Sequence, residues 1–209
     1  MSSSRIATSF VATVGIVIAI GVGYGIHASH KKREEQRAVV SVVGDTTVQL
    51  RSALKSPSPE ALGNIESSLK IAKQWSNPEI ADAAEHYLVG ARAIVRRRAE
   101  ANRLQAKAAA SRAELSAHMQ RAGHRDTSWI HTASALKRQV ERDHFDLEMQ
   151  LKALVDLLDT LPEANKRLAP HVQASLLLDD EARRGARKGV LDEWSRALAE
   201  LEKVRSPLR

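Results

Sequence analysis

The chain contains no cysteine, which excludes structural disulfides, thiolate metal sites and cysteine nucleophiles. That absence leaves the compartment open, because proteins on either side of a membrane manage without the residue. Aromatic side chains make up only 3% of the sequence, too few for the core of an ordinary β-sandwich or barrel. Outside one N-terminal apolar run the glycines are scattered, so no glycine-rich loop cradles a phosphate, and neither HExxH nor GxSxG occurs. No constellation of residues proposes a catalytic site, a metal or a cofactor, and the expectation is a protein that is not an enzyme.

What is present is largely Ala, Leu and Val within a 43% hydrophobic composition, which favours helices packing through small and aliphatic side chains. The fold class expected is all-α: an N-terminal single transmembrane helix followed by an elongated helical bundle or coiled-coil-like helical hairpins. The chain is organised around Ile6–Ile26, a run without a charged side chain. A bilayer core of roughly 30 Å needs about 20 apolar residues in a helix, so the length matches a span. The run exceeds the apolar core of a cleaved signal peptide, and Ile26-His27-Ala28 is a poor cleavage site because its first key position is bulky. Retention as a signal-anchor is therefore expected. The resulting division is a short tail over 1–5, a transmembrane helix over 6–26, a juxtamembrane helix and linker over 27–58, and an all-helical soluble domain over 59–209.

Lys31, Lys32, Arg33 and Arg37 follow the span, against Arg5 before it. Basic residues tend to stay on the cytoplasmic side, which places the body in the cytoplasm, with a periplasmic or exoplasmic body as the alternative. The same basic group could touch anionic lipid headgroups. Within the span, Gly15, Ala19 and Gly23 recur every fourth position, as do Gly21 and Gly25. Small-xxx-small rows let two helices approach closely, so a homodimer or another membrane protein is the expected lateral partner, against the plain abundance of glycine in such spans.

Beyond the anchor, a juxtamembrane helix interrupted near Gly44 is expected. Two helix starts of one design follow it, Ser56-Pro57-Ser58-Pro59-Glu60 and Ser76-Asn77-Pro78-Glu79, each with a side-chain oxygen at the cap before a first-turn proline. Residues Pro78 to about Ala122 hold no further proline and predict one long helix, with Ile80, Ala84, Tyr87, Ala91, Ile94 and Ala101 on its buried face. A turn near Gly123 leads to a second helix over Ser128–Leu161. Its row of Leu147, Leu151, Leu154, Leu158 and Leu161, extended back by Val140 and Ala133, is a coiled-coil-like seam. Pro162 is expected to start a new short helix, and Pro170 to precede another carrying Val172, Leu176 and Leu177. A last helix from Val190 turns Leu191, Trp194, Leu198 and Leu201 inward, after a stretch weakened by Gly185 and Gly189.

Candidate binding residues are few. Arg92, Arg96, Arg103 and Lys107 fall in one stripe of the first long helix and form a possible anion-binding face. Without interleaved aromatics the stripe is disfavoured for nucleic acid, leaving anionic lipid or a solvated face. The basic residues 78–125, 9 cations against 5 carboxylates, precede an acidic 126–161 with 4 against 7, and two neighbouring helices would partly neutralise each other that way. His27 and His30 lack a third ligand, and Asp179, Asp180 and Glu181 lack an oxygen-ligand loop. The expected function is a non-catalytic, membrane-anchored scaffold or protein-interaction module. A pocket joining His86, His118 or His144 to carboxylates would instead favour a helical substrate-binding or catalytic domain.

Overall fold

The computed structural model describes residues 33–121 and 126–205. The expected span Ile6–Ile26, and with it Gly15, Ala19, Gly21, Gly23 and Gly25, lies outside the described residues, and among those described no helix is long and apolar enough to cross a membrane. The chain divides into two compact units, Met1–Ser41 and Val42–Arg209. Of the first, residues 33–41 are described and are helical. The protein is all-α, with no strand among the described residues.

Helix α1 runs over 33–55, followed by α2 (Pro59–Ala72), α3 (Pro78–Gln120), α4 (Thr127–Leu168), a 3₁₀ turn (Ala174–Leu176) and α5 (Asp180–Arg205). The two proline starts behave as their chemistry dictates. Ser58 Oγ accepts the Ala61 N–H at 3.2 Å, and Asn77 Oδ1 accepts those of Glu79 at 3.1 Å and Ile80 at 3.4 Å, while proline fills a position whose N–H has no helical partner. Asp126 caps α4 through Trp129 N–H at 2.7 Å. Asp179 caps α5 through Ala182 N–H at the same distance, and that bond, with Arg51 nearby, holds its carboxyl below the usual range. The acidic cluster is thus a helix start.

Five sequence expectations change. Gly44 does not interrupt α1; a Cβ there would lie 3.4 Å from Leu176 Cδ2, at the edge of ordinary contact with the 3₁₀ turn. Pro162 does not start a helix but sits inside α4. Losing one helical bond and accommodating the ring costs about 3 kcal/mol. Leu158, Leu161 and Leu168 around it are buried, each contributing roughly 1.5–3 kcal/mol, and Asn165 donates to the Leu178 carbonyl at 2.8 Å. The helix after Pro170 is only the 3₁₀ turn. Finally, α5 continues through Gly185 and Gly189, and Leu198 on it is exposed rather than inward.

Within Val42–Arg209, α3 packs along α4, α5 on α4 and α2 on α3. Arg97 bonds Gln150 at 2.6 Å, Lys107 bonds Asp143 at 2.7 Å, and His118 reaches the Trp129 carbonyl at 3.1 Å. Rising numbers on α3 meet falling numbers on α4, so the two are antiparallel. The expected buried residues Ile80, Ala84, Tyr87, Ala91, Ile94 and Ala101 meet solvent nowhere appreciable, and the whole α4 seam is buried. Val42, Leu69, Ala72 and Leu88 form a second cluster with Trp75 packed against it.

A polar latch joins three distant segments in the same unit. Thr47 Oγ1 lies 2.6 Å from Tyr87 Oη, 2.6 Å from the Leu176 carbonyl and 3.0 Å from the Val43 carbonyl. One hydroxyl proton cannot serve both carbonyls, so the best-satisfied arrangement has Tyr87 donating to Thr47 and Thr47 to Leu176. Burial pushes the Tyr87 phenol up, opposed by the Thr47 bond and the Leu178 backbone.

Candidate functional site

The α3–α4 contact carries a buried carboxylate that no sequence motif announced. Asp143, wholly buried on α4, accepts from Lys107 Nζ at 2.7 Å, Ser111 Oγ at 2.5 Å and Gln139 Nε2 at 2.8 Å. Burial pushes its carboxyl up, but the bonds from Lys107, Ser111 and Gln139 outweigh it and hold the group below its ordinary value. Three donors around one carboxylate account for a charge in an apolar seam. A position adjoining His144 on the leucine seam was the available signal, but the donors sit on another helix or off the apolar row.

On the next turn of contact, α5 crosses the hairpin. Arg98 grips Glu193 with two parallel bonds of 2.5 and 2.8 Å, and Arg112 pairs with Glu200. Lys203 also bonds Glu200 at 2.8 Å and, with Arg112 adding to it, holds that carboxyl below its usual range. Rising numbers on α3 meet rising numbers on α5, so these two helices run in the same sense.

Between α3, α4 and α5 lies a cavity of about 410 Å³, within the size range of small-molecule pockets. Ala108, Leu147, Leu151 and Ala197 give it apolar walls, and Gln105, Arg112, His144, Glu193, Arg196 and Glu200 its polar ones. His144 is only 3% exposed, yet neither ring nitrogen has a hydrogen bond of acceptable geometry, and Arg112 Nε also lacks one. Burial pushes the imidazole down first and the Arg112 charge second, against a smaller upward pull from the Ala197 backbone, Glu200 and Asp143. The ring is therefore neutral at neutral pH, and its polar atoms have only a poorly aligned contact with the Ala197 backbone.

This shift has a stability consequence. The unfolded chain takes up the histidine proton near 6.5, its ordinary value, before the folded chain does, so the contribution of His144 is complete above that pH and is lost as pH falls below it. Thermal unfolding from pH 7.5 downward should show the wild type losing stability faster than His144→Phe between about pH 6.5 and 5. Parallel decline of the two proteins would assign the acid sensitivity elsewhere.

The basic stripe is divided. Arg103 is tied to Glu100 at 2.9 and 2.6 Å and Lys107 to Asp143, whereas Arg92 and Arg96 are exposed and form no ion pair among the described residues. Two of the four cations are thus paired within the bundle and two are exposed. Of the other two histidines singled out, His86 lies on the surface against Asp82 and His118 stacks on Trp129 with ring centroids 5.0 Å apart. No group of three His, Asp or Glu that could hold a metal exists among the described residues.

A second cavity of about 450 Å³ lies where Arg51, Leu54 and Lys55 of α1 face Ala182, Gly185 and Gly189 of α5. Its floor is open because a Cβ at either glycine would meet nothing within 4 Å. Arg51 at its edge is committed to Asp179 at 2.7 Å.

Comparison of the chain with protein-family models, with curated proteins and with solved structures finds no match.

Proposed function

We propose that the chain is a non-catalytic, single-pass membrane protein whose helical bundle is an interaction module, held by Ile6–Ile26 against other membrane-bound proteins or a second copy of itself. The observation that carries this reading is on α4. Phe145 and Met149, one helical turn apart and off the leucine seam, are 59% and 48% exposed. A shallow groove of about 370 Å³ beside Phe145 is edged by Arg138, Glu141, Arg142 and Asp146. Single exposed apolar residues are ordinary, but two large adjacent ones with a charged rim have the make-up of a small contact surface. Tethering supplies the remaining affinity: confinement to a membrane raises the effective concentration of such a surface against neighbours in the same plane.

The absence of native cysteine allows a direct test. A single cysteine at Met149 carrying a photoactivated crosslinker, in membranes holding the full chain, is expected to give discrete adducts with a membrane protein or a second copy. Those adducts should vanish with Phe145→Asp. Adducts no stronger than from a cysteine at Lys188 on α5 would remove the α4 surface from the reading. The same cysteine reports sidedness, since a cytoplasmic body is labelled by a membrane-impermeant maleimide only after permeabilisation; labelling in intact cells puts the body outside.

A further inference from the structure

We infer that the cavity between α3, α4 and α5 is a binding site for a small amphipathic carboxylate. Its charges fix the sign of the ligand. Glu193 is committed to Arg98 and Glu200 to Arg112 and Lys203, so neither lining carboxylate is an uncompensated charge. Arg196, by contrast, lines the cavity with only a backbone carbonyl, that of Asp192 at 3.2 Å, on its Nε and no ion pair among the described residues. The cation at the cavity without a protein carboxylate is thus Arg196 of α5, which is also exposed.

The hydrogen-bonding inventory points the same way. Arg112 Nε has a proton and no acceptor, and the His144 ring has only a poorly aligned contact with the Ala197 backbone. Buried polar groups are nearly always satisfied, and leaving one unmatched costs roughly 1–3 kcal/mol. An arginine N–H can only donate, and the neutral imidazole donates from one of its two nitrogens. A carboxylate offers two acceptor oxygens, enough to take a proton from Arg112 and from His144 while standing near the Arg196 guanidinium. An ammonium ligand would leave the Arg112 donor unmet and face Arg196 with like charge.

The walls fix the rest of the molecule. Ala108, Leu147 and Leu151 line the side contributed by the hairpin, and they have no polar side-chain atom to offer. A short alkyl or aryl tail fits there. The inference goes beyond the membrane-scaffold reading, because it concerns the inside of the bundle and stands whether or not the α4 surface has a partner.

The test is calorimetric titration of the full chain in nanodiscs with sodium hexanoate, against hexan-1-ol and hexylammonium and against empty nanodiscs. A ligand this small binds in the millimolar to high-micromolar range. Saturable hexanoate binding is expected, with about a tenfold loss in Arg112→Met and in His144→Phe, the loss that 1.4 kcal/mol represents. The alcohol should bind at least about tenfold more weakly. In parallel, one imidazole ¹⁵N signal absent from His144→Phe should move with hexanoate along the same isotherm. Circular dichroism confirms that each variant is folded; if either is not, Ala197→Leu, which fills the cavity from α5, takes its place and should abolish binding. No saturable hexanoate binding, equal binding of the alcohol, or undiminished binding in the folded variants would overturn the inference and make this a water-filled packing defect.

Discussion

Replacing Glu193 by leucine is expected to destabilise the helical body by about 3–5 kcal/mol, the cost of leaving a buried charge without its partner. Arg98 is 9% exposed and spends both terminal nitrogens on Glu193. A guanidinium cannot escape by losing its proton, since its pKa stays above the range proteins reach. The side chain must therefore either stay charged and unpaired or drag α5 away from α3. The double variant Arg98→Met with Glu193→Leu should recover most of the loss, because a buried pair exchanged for apolar groups of similar volume is often neutral. Denaturant unfolding monitored by circular dichroism gives both numbers. A cost below about 1 kcal/mol for Glu193→Leu alone would mean that water reaches the pair and screens it.

The second large effect belongs to the seam. Leu158→Ala should cost about 2–5 kcal/mol, the transfer term plus that of the cavity left behind. Leu158 is completely buried, and its carbonyl is the one that Pro162, inside α4, cannot engage. The turn after the proline is held by side-chain burial at Leu158, Leu161 and Leu168 in place of that bond. Hydrogen exchange should accordingly speed up first over the last turns of α4, and a uniform acceleration over the helix would place the loss elsewhere. Lys152→Ala, on the exposed side of the same helix, should change stability by no more than about 0.5 kcal/mol.

The features legible in the sequence are those whose cause is local. Ser58-Pro59 and Asn77-Pro78 start helices because a cap and a first-turn proline act within four residues, and the α4 leucines are buried because their spacing alone makes a face. Proline and glycine in the wrong places misled for the opposite reason. At Pro162, Gly44, Gly185 and Gly189 the local preference is to break a helix, and packing from segments far away in sequence overrides about 1–3 kcal/mol of it. The site was half visible. His144 could be put on the seam by counting, but Arg112 and Glu200 reach it from two other helices. The basic stripe was visible as residues and not as a surface, since its neutralising partners Glu100 and Asp143 include one from across the hairpin. Arg98 falls between Ile94 and Ala101 on the expected buried face, so counting separates it from Arg96 and Arg97, and only Arg98 is buried; what counting could not supply was its partner Glu193 on a distant helix.

The latch of Thr47, Tyr87 and Leu176 bears on how the chain is made. Its longest link spans 129 positions. At roughly 5–20 residues per second, a ribosome needs on the order of ten seconds to lengthen the chain by that much. During that interval α1 has left the tunnel while the carbonyl it will bond has not been synthesised. Closing so long a loop is a late and slow event even after release. The Tyr87 link, 40 positions away, can close earlier, so the latch is completed in two stages and its Leu176 side waits for the C-terminal third of the chain.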